Sequence, residues 1–308
     1  MRFWLTIATV GILALVVGCT SHDKPALPSS TDPVAIAEKL AGSDGEAFLW
    51  DLTTTSWDDG GRHAAELFAW IPRDALSTDR TTASRAGAAA HSIASFLADE
   101  REKIADAPAN PALWQAFAQS LVPYLGAMVG DGSAVGGFEP LDDPASQMRR
   151  TASLFAAMTK DADADRAFST AVSQRAESYE TAFARAAAAE PLLADRDPAQ
   201  RDLLQAARLR SLAATGTYMA NPHSEKPNSL VAQSELAYQV VSLTARSDDP
   251  HINEEFFRDS RLLPPSEIPA EDWSIYDSQL TVYLAPWPRI NEAIRQFGRA
   301  FDVIAQGQ

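Results

Sequence analysis

Residues 110–125, which read NPALWQAFAQSLVPYL, decide the fold class of this 308-residue chain. Their large apolar side chains recur at intervals of three and four residues, at Leu113, Trp114, Phe117, Leu121 and Leu125. This spacing places them on one face of an α-helix. Asn110 before Pro111 is a typical helix start, because a capping side chain accepts hydrogen bonds from free backbone amides and proline has no amide to leave unpaired. The stretch therefore predicts an amphipathic helix that begins at Pro111 and is kinked or divided at Pro123.

The same spacing recurs along most of the chain, which contains 56 alanines, the strongest helix former. It predicts helices at about 33–41, 44–54, 60–71, 79–106, 111–129, 144–159, 162–190, 198–220, 228–246, 270–284 and 287–305, the first two of which are open to being one bent unit. No pair of strands and no Asn-Gly hairpin turn is evident. Capping residues before proline stand at 110, 143 and 197, at unequal intervals of 33 and 54 residues, which excludes a regular repeat. We therefore expect an all-α, irregular helical domain of about ten helices, in one lobe or two.

The first 19 residues carry the most specific local signal. Arg2 precedes an apolar run from Phe3 to Val17, which is too short for a good membrane-spanning helix. The run ends in Val16-Val17-Gly18-Cys19, which resembles the lipobox of bacterial lipoproteins. That resemblance implies cleavage before Cys19, diacylglycerol on its thiol, and a fatty acyl chain such as palmitate on the new amino group. An ordinary signal peptide, or an anchor helix that happens to end in cysteine, stays open as the alternative.

Acylation at Cys19 would anchor the protein on the outer side of the cell membrane, facing the periplasm or the cell wall, because about two lipid chains hold a protein stably on a bilayer. Cys19 is also the only cysteine, so the chain has no intrachain disulfide and no zinc site built on thiolates. The formal net charge of −15 argues against a nucleic-acid partner, and against electrostatic adhesion to an anionic bilayer.

Helix starts and chain breaks give the domain organisation. The capping residues before proline are Asp32, Asn110, Asp143 and Asp197, and Ser43 with Glu46 has the spacing of a capping box. Residues 20–32 are rich in Ser, Pro and Asp and lack apolar periodicity, as in a flexible tether. We expect a lipoprotein signal peptide at 1–18, a tether at 19–32 and a helical domain at 33–308. The glycine-rich loop marks a sub-boundary near 130–142, which leaves open one lobe or two.

No motif for catalysis, metal binding or cofactor binding is complete. The histidines are His22, His63, His91, His223 and His251, and no two are four residues apart, as a helical zinc pair requires. Asp161, Asp163 and Asp165 resemble the opening of a calcium loop, but Arg166 stands where glycine is needed. These aspartates instead suit the acidic first turn of a helix. We assign no catalytic residue, no metal and no cofactor.

The most unusual stretch lies near the C-terminus. A proline-rich loop leads into a helix with Trp273 and Tyr276 three positions apart on one face, and Trp287 follows between two prolines. Two interpretations stay open. The three aromatic side chains either fasten the last helices to the core or form an exposed ridge for a protein partner. Their burial distinguishes the two.

Two passages carry a family resemblance. One is Ser120-Leu121-Val122-Pro123-Tyr124-Leu125-Gly126, followed by the glycine-rich loop and residues 154–158; the other leads from Pro265-Ser266-Glu267 to Trp273. Together they resemble alanine-rich helical proteins of mycobacteria and other actinobacteria, which are labelled as tetratricopeptide-region proteins and found near type VII secretion systems. The resemblance covers residues from about 85 to 308. It implies an actinobacterial cell envelope and carries over no activity and no functional residue.

Three functions follow as hypotheses. We expect a membrane-anchored, non-enzymatic envelope protein that acts through contacts with another protein, linked to secretion or to neutralisation of a toxin. The alternative is a carrier or receptor for a lipid or small molecule, with a cavity between helices. A hydrolase would need two or three of His63, His91, His223 and His251 to meet acidic residues in one cleft.

Overall fold

A computed structural model describes residues 25–133 and 135–307. Its helices are α1 (Pro33–Ala41), α2 (Gly45–Thr54), α3 (Arg62–Glu66), α4 (Ile71–Asp74), α5 (Arg80–Asp99), α6 (Arg101–Ile104), α7 (Pro111–Leu121), α8 (Leu125–Met128), α9 (Arg149–Met158), α10 (Ala162–Ala189), α11 (Ala199–Ala220), α12 (Ser229–Val241), α13 (Trp273–Leu284) and α14 (Pro288–Ala305). Ten of the helices in these two ranges have nine residues or more. The prediction of an all-α, irregular domain of about ten helices is therefore confirmed.

Several helices begin where their capping residues predict. The Asp32 carboxylate accepts a hydrogen bond from the Ala35 amide at the start of α1. The Asp161 carboxylate accepts from the amides of Asp163 and Ala164 at the start of α10, which confirms an acidic first turn rather than a calcium loop. After α7, a 3-10 turn at Val122–Tyr124 separates that helix from α8, so the division at Pro123 is also confirmed.

Other predicted helix starts are wrong. The Asp143 carboxylate accepts from the Ala145 amide within a turn, and α9 begins only at Arg149. No capping box forms at α2, because the Ser43 hydroxyl donates to Asp44 instead. The predicted helix at 60–71 is only α3, followed by turns at 67–70 that lead into α4. The predicted helix at 79–106 is divided at Glu100 between α5 and α6.

Asn110 precedes α7 without capping it. Its buried amide donates to the carbonyl oxygens of Thr53 and Thr55 and accepts from the Trp57 amide. The side chain thus forms hydrogen bonds with backbone groups at the end of α2 and in the loop after it, and with none at the start of α7.

The described residues include one short pair of strands, which corrects the prediction of none. Strand β1 (Phe257–Arg258) pairs antiparallel with β2 (Arg261–Leu262). Asp259 and Ser260 between them have φ of 51° and 63°. A type I′ hairpin turn has positive φ at both of its central positions, which Asn-Gly most often occupies. Asp259 and Ser260 occupy them here, so the hairpin lacks the sequence signal by which such turns are usually predicted.

The core is one hydrophobic cluster that extends in sequence from Ile36 to Ile304. The long helices α10 and α11 pack against each other, α9 and α14 pack on α11, and α5 packs on α9. At Gly216 in α11, a Cβ atom would lie 2.6 Å from the Phe155 Cβ, so glycine lets α11 approach α9 closely. Phe138, in the loop before α9, is buried against the core and stacks on Tyr124 with ring centroids 5.2 Å apart.

The sub-boundary at 130–142 stays a prediction. The signal peptide at 1–18 and residues 19–24 of the tether, Cys19 among them, lie outside the described residues. No helix within those residues is both long enough and apolar enough to span a membrane.

Candidate functional surface

The four described histidines contact separate local partners. His63 Nδ1 is 2.5 Å from Asp59, His91 Nδ1 donates to the Glu139 carbonyl, and His251 pairs with Asp249. His223 is exposed in the loop before α12. Within the described ranges, no hydrogen bond or ion pair joins two histidines, and no group of three or more His, Cys, Asp or Glu side chains is arranged to hold a metal ion.

Exposed apolar side chains concentrate after residue 190. The large hydrophobic residues exposed in this part of the chain are Leu192, Leu193, Leu230, Val231, Leu243, Ile275, Val282, Trp287 and Val303. Only Val34 and Leu76 have comparable exposure in the described residues before 190. Where such side chains are also contiguous on the surface, they are typical of an interaction site. Two of these residues, Ile275 and Val282, lie on helix α13.

Helix α13 buries one stripe and exposes the other. Tyr276, Leu280 and Leu284 recur every four residues and are buried. Ile275 and Val282 lie seven residues apart on another face and are 50% and 48% exposed. A helix with apolar residues on opposite faces can bury all of them only when both faces pack against other protein. The uncovered face is the feature that would suit a partner.

The three aromatic residues predicted as a partner surface have different environments. Tyr276 is 1% exposed, which corrects its assignment to an exposed ridge. Its hydroxyl donates to the Leu263 carbonyl, its ring meets Phe256 edge-on, and burial raises its pKa. Trp273 is half-buried beside Tyr276, whereas Trp287 is 41% exposed. Tyr276 therefore fastens α13 to the hairpin region, and the two tryptophans remain accessible.

Each accessible tryptophan lines a cleft beside α13. The Trp287 cleft, of about 290 Å³, lies between α10, α12, α13 and α14 and is mostly apolar, with Val240, Leu284 and Ile290 in its walls. The Trp273 cleft, of about 300 Å³, lies between α12, α13 and α14 and includes Leu230, Val231 and Asp277. Leu284 lines both clefts, so they are neighbours on either side of the end of α13. We call α13 and these two clefts the α13 surface.

A buried ion pair lies behind the α13 surface and links α10, α11 and α12. Glu180 in α10 is 2% exposed and accepts two hydrogen bonds from Arg210 in α11, at 2.8 and 2.9 Å. The Gln239 amide of α12 donates to the same carboxylate at 3.0 Å. The hydrogen bonds that Arg210 donates to Glu180 raise the pKa of Arg210, and burial raises the pKa of the nearby Glu235. The ion pair therefore fixes the position of α12, which forms one wall of both clefts.

Sequence reasoning missed Ile275, Val282 and Asp277. The only signal available was that α13 carries apolar residues on both sides, but the sequence does not show which side the core covers. No family model, no curated protein and no solved structure shows significant similarity to this chain.

Proposed function

We propose that this protein is a lipid-anchored, non-enzymatic protein of the cell envelope that binds another protein through the α13 surface. The observation that supports it is the uncovered face of α13, where Ile275 and Val282 are about half exposed. Trp287, just before α14, is 41% exposed and lines one of the two clefts that flank α13. Tryptophan anchors next to pockets are typical of protein interfaces, and exposed apolar surface beside them marks interaction sites. The resemblance at Cys19 supports the anchor, and the resemblance of residues 85–308 motivates a search among secretion-linked proteins and toxins.

The size of the clefts favours protein side chains over a small-molecule or lipid ligand. Ligand sites usually enclose about 300–1,000 Å³. The two clefts, at about 300 and 290 Å³, lie at the lower limit of that range and open to the surface. Each has room for a side chain of a docked protein.

A matched pair of variants tests the proposal. Val282→Glu introduces a charge at the centre of the α13 surface, and Val34→Glu does the same on α1, where valine is 44% exposed compared with 48% at Val282. Full-length protein in mild detergent is immobilised and exposed to envelope extract, and the captured proteins are identified and quantified. We expect a saturable partner that is lost with Val282→Glu and retained with Val34→Glu. Equal capture by both variants would overturn the proposal.

A further inference from the structure

We infer that the Trp273 cleft binds a lysine or arginine side chain of the protein partner, whose apolar side chains cover Val282 and Trp287. This inference rests on the proposed function, because it names the chemistry of the partner that the same surface accepts. It is carried by the charge of the α13 segment and by the composition of the cleft.

The segment that contains α13 is acidic and has no cation of its own. Residues 262–288 include no Lys, Arg or His and four carboxylates, Glu267, Glu271, Asp272 and Asp277. Glu267 pairs with Arg258 at 2.5 Å. Within the described ranges the other three form no ion pair, and Arg289, the next cation along the chain, pairs with Asp195 at 2.7 Å. The carboxylates of Glu271, Asp272 and Asp277 are therefore left without an ion-pair partner among the described residues.

The Trp273 cleft places one of these carboxylates beside an aromatic ring. Asp277 lines the cleft and accepts a hydrogen bond from the buried Ser234 hydroxyl. An ionised carboxylate has about four lone-pair sites, so one hydrogen bond leaves capacity for a cationic donor. Tryptophan is the aromatic ring that attracts Lys and Arg most strongly. Leu230 and Val231 in the same cleft can cover the methylene stem of such a side chain.

The charge also selects against two other occupants. A symmetric pair of copies would bring the same surface patch into contact with itself, and so place the carboxylates of Glu271, Asp272 and Asp277 near their counterparts. Like charges at an interface are costly. An anionic bilayer would repel the segment for the same reason. A protein segment that combines apolar residues with Lys or Arg satisfies both the exposed apolar face and the charge.

Selection from a library tests the inference without assuming a partner sequence. Short random peptides displayed on phage are selected on full-length protein in non-ionic detergent, and the affinities of selected peptides are then measured by fluorescence anisotropy. We expect Lys or Arg together with large apolar residues to be enriched over the unselected library. Asp277→Asn, which keeps an oxygen for Ser234, should weaken binding of these peptides about tenfold. The matched control is Asp165→Asn on α10, where the carboxylate also accepts from a serine hydroxyl, Ser169 at 3.1 Å, and where no loss is expected.

The outcomes separate this inference from the proposed function. Selected peptides with no excess of Lys or Arg, or with equal affinity for the Asp277→Asn variant, would overturn the inference. If peptides without an excess of Lys or Arg still failed to bind the Val282→Glu variant, the α13 surface would remain a docking site, but for a partner of different chemistry. If Val282→Glu had no effect on any selected peptide, the proposed function would fail as well.

Discussion

Replacing Glu180 with glutamine should destabilise the protein by about 3 kcal/mol. The substitution leaves the Arg210 guanidinium without its bidentate carboxylate and places an amide beside its donors. Removal of one partner from a buried ion pair costs about 3–5 kcal/mol, because the remaining charge is left uncompensated. The lower end of that range applies here, because the Arg210 side chain retains 22% exposure and Glu235 and Glu177 lie near enough to interact with it.

The matched control for Glu180→Gln is Asp163→Asn. Asp163 pairs with Arg166 at 2.7 Å on the surface of α10, where the two side chains are 64% and 74% exposed. Such a pair contributes about 0–1 kcal/mol. Urea unfolding followed by circular dichroism measures both variants. Their free energies of unfolding are comparable when the dependence of the free energy on urea concentration has the same slope. If Glu180→Gln cost no more than Asp163→Asn, the conclusion that the ion pair joins α10, α11 and α12 would be wrong.

Replacing both partners extends the same test. Glu180→Leu with Arg210→Met removes both charges and fills the site with apolar side chains. Buried ion pairs replaced in this way often lose little or no stability. We expect the double variant to be more stable than Glu180→Gln. A loss equal to the sum of the two single losses would show that the two residues act independently.

Three further predictions concern the core, a titrating group and the anchor. Phe117→Ala should cost about 3–5 kcal/mol in urea unfolding, because Phe117 is fully buried against Phe68 and Trp114. Burial raises the pKa of Glu235 above its ordinary value of 4.5, so its ionisation opposes folding as pH rises through the pKa of the folded state. Glu235→Gln should therefore be more stable than the parent at neutral pH, and this advantage should shrink as the solution is acidified below the ordinary pKa. Cys19→Ser should release the protein from membranes, and a variant that still carries lipid would contradict the lipobox interpretation.

The sequence predicted the long helices best. The predicted ranges 162–190 and 198–220 match α10 (Ala162–Ala189) and α11 (Ala199–Ala220) almost to the residue. Both helices carry more than five turns of apolar spacing, and Asp161 caps the first of them. Over such a length, local periodicity and tertiary burial agree, and the boundaries are set by a few strong signals.

Short elements were harder to predict because the same side-chain chemistry closes turns and caps helices. Asp143 before Pro144 has the sequence of a helix start, yet its carboxylate closes a turn on Ala145. Asn110 has the same pattern, and its side chain instead bonds to the loop after α2. Only the surrounding packing decides which amide a short polar side chain will meet.

The location of the candidate surface and its two tryptophans were predictable, but the burial of Tyr276 and the other residues of the surface were not. Spacing placed Trp273 and Tyr276 on one face, but it could not show that the β1–β2 hairpin region, through Phe256 and Leu263, would bury Tyr276. Ile275 and Val282 drew no attention because isolated exposed aliphatic residues are common. Only the clefts that flank α13 indicate that these two residues belong to a candidate binding surface.

The proposed anchor changes how strong the contact at α13 has to be. Stable complexes between freely diffusing proteins bury about 1,600 Å² in total. Helix α13 has 12 residues and one uncovered face, which suits a smaller and weaker contact. For a partner that is itself held at the membrane, confinement of both proteins raises their effective concentration, so that a weak contact is occupied without additional buried area. The negative charge of the chain would further speed the approach of a basic partner, with an effect that decreases as salt is added. Two features would thus act on the same binding equilibrium. Acylation at Cys19 would raise the local concentration of the protein at the membrane, and the acidic α13 segment would favour a basic partner.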